Sequence, residues 1–174
     1  PQSVSFVFLP LATFSSNLFF YCYKNSAAAN YVTNNNCDYV YLDGTDEESV
    51  IDGKIGKLNW SLDKRTGVFN ITGSGDMIDF YGVKPPWINQ GSEDLGLYDR
   101  YITSVVFSDS ITKIGAYAFN DCVRLEKVYI PNGVEIIGER AFSYTDLIEV
   151  NMPDSVTRID ARAFYYCEGL KSVT

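Results

Sequence analysis

The dipeptide Ala-Phe recurs in the second half of the chain, where Phe119, Phe142 and Phe164 follow one another at 23 and 22 residues. Other apolar positions keep the same step. They form the columns Ile102/Leu125/Leu147/Leu170, Val105/Val128/Val150/Val173 and Ile114/Ile137/Ile159, beside a fourth column of Cys122, Thr145 and Cys167. A short fixed period is typical of a solenoid, because each unit buries its apolar face only against its neighbours.

Within one unit the pattern predicts a strand followed by a tight corner. In the second unit Val128 faces inward, while Lys127 and Tyr129 face outward. Pro131 and Pro153 end their strands, where a missing N–H is tolerated. The Ala-Phe part is too short for an ordinary helix. We expect it to form one turn of α- or 3₁₀-helix that places Phe in the core.

Three segments of the chain, Ile102–Cys122, Leu125–Thr145 and Leu147–Cys167, resemble the BspA-like class of leucine-rich repeats. The upstream stretch LNWSLDKRTGVFNITGSGDM, followed by Trp87, is similar to the segment that often precedes such arrays. The resemblance implies a mainly β fold with short helical turns, in which a leucine-rich-repeat solenoid follows a small β-rich N-terminal cap. Two positions depart from the family pattern.

These departures are Thr145, where the family prefers Cys, and Asp160, where it prefers Gly. Neither disturbs the apolar columns. The repeats, with three units and the start of a fourth, occupy residues 101–174, the cap occupies 30–100, and a separate N-terminal segment occupies 1–29. Because the sequence begins at Pro1 and stops inside a fourth unit, we expect it to be part of a longer protein.

Two interpretations of residues 1–29 stay open. The apolar stretch 4–23 is typical of a truncated secretory signal peptide, and Ala27–Ala29 supply an A-x-A cleavage pattern before Asn30. The alternative is an N-terminal β segment of the folded domain. The polar residues within 4–23 make it a poor membrane-spanning helix, so no membrane insertion is predicted.

The cap region contains one clear hairpin. Leu58, Trp60 and Leu62 alternate with polar residues, and a return strand follows a turn, which predicts a hairpin over residues 58–72 that seals the first repeat. A further strand is expected in DYVYLDG, between loops. Residues 73–100 are expected to form an irregular connection. Trp87 is predicted to be buried against the cap; the alternative is an exposed aromatic ring that binds sugar.

Charge and composition exclude several kinds of function. The net charge of −8 argues against nucleic acid and against anionic membrane surfaces, which both need a basic face. The sequence has no His, which excludes His-dependent catalytic triads and His-ligated metal sites. The acidic run at 43–48 lacks the spacing of a calcium-binding EF-hand loop. Asp76 and Asp79 are expected to form turns. No catalytic, metal or cofactor-binding residues are predicted, and the chain is not expected to be an enzyme.

The four cysteines, Cys22, Cys37, Cys122 and Cys167, allow two disulfides on number alone. Cys122 and Cys167 occupy the same repeat position two units apart, roughly 10 Å from each other. A disulfide needs Cα atoms closer than about 7 Å, so no bond is predicted between them. They are expected to be small buried apolar residues. A bond between Cys22 and Cys37 stays open.

The sequence therefore predicts a non-enzymatic protein-interaction or adhesion module, extracellular or at the cell surface. The resemblance implies a protein ligand from a host, a matrix or another cell; the sequence leaves the oligomeric state open. The alternatives are an accessory binding region of a larger secreted enzyme and a structural spacer. The candidate partner-binding residues form two outward ladders, Ser104/Lys127/Glu149 and Val106/Tyr129/Asn151.

Overall fold

The computed structural model describes residues 19–22, 27–41, 50–88 and 98–173. The N-terminal elements are β1 (Phe19–Cys22), α1 (Ala27–Asn34), β2 (Asp38–Tyr41), β3 (Val50–Ile55), β4 (Leu58–Asp63), β5 (Val68–Thr72) and β6 (Gly75–Asp76). The later elements are a 3₁₀ helix (Tyr98–Arg100), β7 (Ser104–Phe107), β8 (Ile111–Ile114), β9 (Lys127–Tyr129), β10 (Ile136–Ile137), β11 (Glu149–Asn151), β12 (Arg158–Ile159) and β13 (Ser172–Val173). The predicted mainly β fold is confirmed.

Successive repeats contribute strands to two ladders. Within the described residues, one sheet has nine strands in the order β1-β2-β3-β4-β5-β7-β9-β11-β13, and the other has four in the order β12-β10-β8-β6. From β5 to β13 neighbouring strands of the first sheet run parallel. The second sheet is parallel throughout. This stacking of units is the solenoid that the period predicts.

The apolar columns align as the spacing predicts. Val105 lies opposite Val128, which lies opposite Val150, and all three are buried. Ile114 and Ile137 are buried opposite each other in the second sheet. In the third unit, by contrast, Ile159 is 49% exposed. No further unit covers it within the described residues.

A stack of aromatic rings runs through the core. The rings of Phe119 and Phe142 are 5.6 Å apart and nearly parallel, as are those of Phe142 and Phe164 at 5.5 Å. Trp87 stacks on Phe119 at 5.7 Å and thereby extends the column into the cap. Its indole N–H donates to the Ala118 carbonyl at 2.8 Å. The predicted burial of Trp87 is confirmed, and the exposed sugar-binding alternative is wrong.

The Ala-Phe corner is not helical, so the predicted helical turn is wrong. In the first unit the Phe119 N–H donates to the Ala141 carbonyl of the next unit at 2.8 Å. In the second unit the Phe142 N–H donates to the Ala163 carbonyl at 2.8 Å. A helix would direct these N–H groups along its own axis. The corner instead uses left-handed backbone at the residue before each Ala, namely Tyr117 (φ 60°), Arg140 (φ 50°) and Arg162 (φ 59°).

The cap is a meander whose last strand begins the solenoid. The predicted hairpin is present as β4 and β5, and the predicted strand near residue 38 is β2. Strand β3, which the sequence analysis did not predict, pairs antiparallel with both β2 and β4. Strand β5 then pairs parallel with β7, with Phe69 opposite Val105. The hairpin therefore seals the first repeat as expected.

The chain before the meander contains an unpredicted helix. The Ala27–Ala29 run begins α1, in which Ala28, Ala29 and Val32 are buried together with Cys22. Residues 19–22 form β1, which runs parallel to β2. Cleavage before Asn30 stays a prediction, and residues 1–18 and the acidic run at 43–48 lie outside the described residues.

Close packing of units limits one repeat position to small residues. A Cβ added at Gly138 would meet the Ala116 amide nitrogen at 2.5 Å, and one at Gly115 would overlap the Ile78 carbonyl oxygen. At the equivalent position Asp160, which departs from the family pattern, binds the neighbouring Arg158 guanidinium at 3.1 Å. The first and second units therefore fit only without a side chain at this point.

The cysteine column contains free thiols. Cys122 and Cys167 are buried thiols, which confirms that no disulfide joins them, and Cys22 and Cys37 are thiols as well. Thr145 occupies the position between them and donates its hydroxyl to the Phe142 carbonyl at 2.9 Å. The departure from Cys to Thr is thus accommodated by a local hydrogen bond.

Alkylation should follow this burial. We expect iodoacetamide to modify Cys37 first in the folded chain, because the other three thiols are buried. Burial also raises the pKa of the Cys122 thiol, so little reactive thiolate forms at neutral pH. Mass spectrometry without reductant should show four additions after denaturation. Fewer than four would reveal a disulfide and contradict the structure.

Removal of one ring from the stack should destabilise the fold. Phe142→Ala should lower the free energy of unfolding by about 3–5 kcal/mol, since it leaves a cavity between two rings. Ile148→Ala, at a 39% exposed position of the next unit, serves as the control and should cost less than about 1 kcal/mol. Urea denaturation followed by circular dichroism measures both. Equal losses would show that the stack has no special role.

Candidate functional site

The structure brings the six predicted partner-binding residues together on β7, β9 and β11. In the first ladder Ser104 lies opposite Lys127, which lies opposite Glu149. In the second, Val106 lies opposite Tyr129, which lies opposite Asn151. Their side chains point away from the core because they alternate with the buried valines of the same strands. The predicted outward orientation is confirmed, while their binding role stays a prediction.

These ladders line a shallow groove of about 420 Å³. Tyr129 is 55% exposed and Val106 is 42% exposed, so an aromatic ring and an aliphatic side chain lie open at its centre. Lys127 and Glu149 place opposite charges side by side on neighbouring strands. Ile148 adds a partly exposed apolar side chain at the rim. The mixture of an exposed ring, aliphatic groups and few charges is typical of protein-binding surfaces.

The same face continues into the cap, and the sequence pattern alone does not predict this continuation. Val68 and Asn70 of β5 lie opposite Ser104 and Val106. Ser61 on β4 lies opposite Asn70 and carries the row one strand further. The alternation of Val68 and Asn70 with the buried Phe69 and Ile71 signals their outward orientation. The sequence does not show that β5 pairs in register with the first repeat.

The outward strand positions carry little net charge. From β3 to β11 the charged residues on this face are Asp52, Lys54, Asp63, Lys127 and Glu149. Both signs are therefore present, although the whole chain has a net charge of −8. A face with mixed charges lacks the uniform field that attracts polyanions or polycations. Such a face favours a partner that binds through shape complementarity and through contacts with individual polar groups.

Asp76 lies in β6 and Asp79 in the connection after it, so the prediction that they form turns is wrong; both carboxylates have other structural roles. Asp76 accepts a hydrogen bond from the Thr112 hydroxyl at 2.6 Å. Asp79 binds the Lys113 ammonium at 2.7 Å and also accepts the Ala116 N–H at 2.7 Å. Both carboxylates thus bind the connection after the hairpin to the first repeat. Among the described residues, no group of three or more His, Cys, Asp or Glu is arranged to hold a metal ion.

The acidic groups with shifted pKa values lie outside the ladders. Burial raises the pKa of Asp99 above its ordinary value, although Arg100 and backbone hydrogen bonds oppose the shift. Burial also raises the pKa of Tyr81, and the nearby Asp79 and Glu139 carboxylates add to it. These shifts follow from packing beside the first repeat. They do not mark a group within the groove.

The fold and this face together define a leucine-rich-repeat solenoid with an open strand surface. Residues 96–174 match a family model described as a BspA type leucine rich repeat region (6 copies). This part of the chain is therefore a BspA-type leucine-rich repeat region, and the resemblance inferred from the three repeats is confirmed. A search of curated proteins found no match.

Three solved structures of bacterial proteins are similar to the chain. A leucine-rich repeat protein from Eubacterium ventriosum is 20% identical over 68% of this chain, with a TM-score of 0.42. A leucine rich cell surface protein from Faecalibacterium prausnitzii is 16% identical over 71%, with a TM-score of 0.37. A leucine-rich repeat protein from Bacteroides ovatus is 22% identical over 70%, with a TM-score of 0.35. The matches cover 42%, 54% and 40% of those chains, respectively.

The family indicates a protein-interaction module, because leucine-rich repeats offer extended surfaces to partners and are generally not enzymatic. In the described ranges of the chain, no helix has both the length and the apolar character needed to cross a bilayer. The groove, rather than a catalytic or metal centre, is therefore the candidate functional site.

The ladder residues should be dispensable for stability. Single changes of Lys127, Tyr129 or Glu149 to Ser should alter the free energy of unfolding by less than about 1 kcal/mol, since these side chains are exposed. Val128→Ser, on the inward side of the same strand, should cost at least about 2 kcal/mol. Thermal denaturation of the four variants tests this. A large loss at Tyr129 would indicate a structural role.

Proposed function

We propose that the chain is a non-enzymatic recognition module that binds a protein ligand through the groove and its continuation on the cap. The observation that carries the proposal is the alignment of six outward residues from three units around the exposed Tyr129. Tyr is favoured at interfaces because its rigid ring buries a large area and its hydroxyl forms hydrogen bonds.

The geometry of this face supports a folded or extended protein surface as the ligand. The row of outward residues crosses β4, β5, β7, β9 and β11, five neighbouring strands. At about 4.8 Å between strands, it spans roughly 20 Å. A small molecule would occupy only part of that length. The mixed charges supply polar contacts at the rim of an apolar centre, the usual arrangement of protein interfaces.

The proposed setting is extracellular or at the cell surface, where the module would serve adhesion to host, matrix or neighbouring-cell proteins. The support is the BspA-type repeat region itself, through the family resemblance. The described residues carry neither a uniformly basic face nor a clustered metal site that would favour another class of ligand.

A binding assay with paired variants tests the proposal. The immobilised chain is exposed to matrix proteins and to solubilised cell-surface proteins, and Kd is measured for those captured. Lys127→Ala/Tyr129→Ala should weaken binding about tenfold or more, as expected for central interface residues. Glu135→Ala/Arg158→Ala removes two exposed charged residues of the other sheet region and should leave Kd within about twofold.

Two outcomes would contradict this function. Equal binding by the groove variant and the wild-type chain would place the interface elsewhere. Absence of saturable binding to every protein tested would favour a structural spacer.

A further inference from the structure

A second surface is built from the Ala-Phe corners of the repeats. We call the residues Tyr117, Arg140, Tyr144, Arg162, Tyr165 and Tyr166 the tyrosine–arginine corner. None of them lines the groove. Tyr144, Tyr165 and Tyr166 are 40%, 42% and 56% exposed. Their rings contact one another, with centroids 5.2 Å apart for Tyr144 and Tyr166 and 4.8 Å apart for Tyr165 and Tyr166.

Two arginines are held against these rings. The Arg140 guanidinium carbon lies 5.9 Å from the centroid of Tyr117, and that of Arg162 lies 5.8 Å from the centroid of Tyr165. Stacking of this kind orders a guanidinium while leaving its N–H groups free to bind. Arg140 and Arg162 occupy the same position of adjacent units. The backbone N–H of Arg140 donates to the backbone carbonyl of Ala161. Two like charges thus lie one unit apart, which is unfavourable by itself.

Within the described part of the chain, neither Arg140 nor Arg162 forms an ion pair with a carboxylate, whereas Lys113 and Arg158 do. The Arg140 Nε is buried and has no hydrogen-bond partner. The chain has 22 acidic and 14 basic residues, so its composition does not by itself leave these two arginines without a partner. Their unpaired arrangement therefore points to an anionic group supplied by another molecule.

The orientation of the rings indicates what carries that anion. Tyr144 and Tyr166 are stacked on each other, and guanidinium groups lie over Tyr117 and Tyr165. One face of each of these rings is thus in contact with a neighbouring group. Ring edges are electropositive and hydroxyls donate hydrogen bonds, so they attract carboxylate oxygens.

We propose that the tyrosine–arginine corner binds the carboxylates of an acidic polypeptide segment. Arg140 and Arg162 would each hold a carboxylate through paired N–H donors, the geometry that suits guanidinium groups. The exposed tyrosines would pack against the intervening residues, because Tyr and Arg are the residue types that dominate protein-binding energy. Glu139, which precedes Arg140 in the second unit, accepts a hydrogen bond from Tyr117 at 3.3 Å. The acidic segment would lie over Arg140 and Arg162, in the second and third units.

A defined peptide tests this binding in the full chain. The probe is a fluorescent peptide of alternating Glu and Ser, and its Gln counterpart is the uncharged control. Wild-type protein should bind the Glu peptide, and Arg140→Gln/Arg162→Gln should weaken binding at least about tenfold, because both charge-assisted contacts are lost. Arg65→Gln/Lys171→Gln removes the same charge from exposed positions in the cap and the last strand region, and should change Kd less than about twofold.

Two further measurements separate the possible outcomes. If the double variant fails to fold, Arg162→Gln alone, at an exposed position, should still weaken binding. Lys127→Ala/Tyr129→Ala should leave peptide binding unchanged, which separates this surface from the groove. The proposal is overturned if the Glu and Gln peptides bind equally, if neither binds, or if a uronic-acid oligosaccharide binds while the Glu peptide does not.

Discussion

The contact between one aromatic ring and the next sets the geometry of this protein. Trp87, Phe119, Phe142 and Phe164 stack at 5.5–5.7 Å between neighbouring centroids. Each ring can be covered only if the next unit repeats the same path directly above it. The strands on either side then fall into parallel register, and the corner N–H groups meet the carbonyls of the following unit. Both ladders and the corner surface depend on this stacking.

The sequence predicts this architecture where residue types recur at a fixed spacing. Where no such recurrence exists, the prediction fails. The columns of Val, Leu and Phe recur every 22 or 23 residues, so their alignment could be inferred without coordinates. The Ala-Phe corner looked helical because its short apolar pattern does not reveal that Phe119 donates to the next unit. Strand β3 contains Gly53, where a Cβ would overlap the Tyr39 carbonyl oxygen, and this Gly weakened the strand pattern.

The surfaces also differ in how far the sequence predicts them. The outward ladders follow from simple alternation along each strand, and the six residues assigned to them do lie side by side. Their extension through Asn70 and Ser61 depends on pairing between the cap and the first repeat, which no local pattern encodes. The clustering of Tyr144 with Tyr166 follows from the left-handed corner backbone, φ 58° and 56° at these residues, and so could not be anticipated from a helical turn.

The parallel stacking also determines how the molecule responds to tension. Hydrogen bonds between β7, β9 and β11 point along the direction in which units stack. A force applied along that direction acts on every interface between units at once, and each interface can open by itself, so that units separate singly. A force along the strands would shear all the bonds of a ladder together. An array of such units attached at its two ends would therefore lengthen in steps of one repeat and act as an extensible tether.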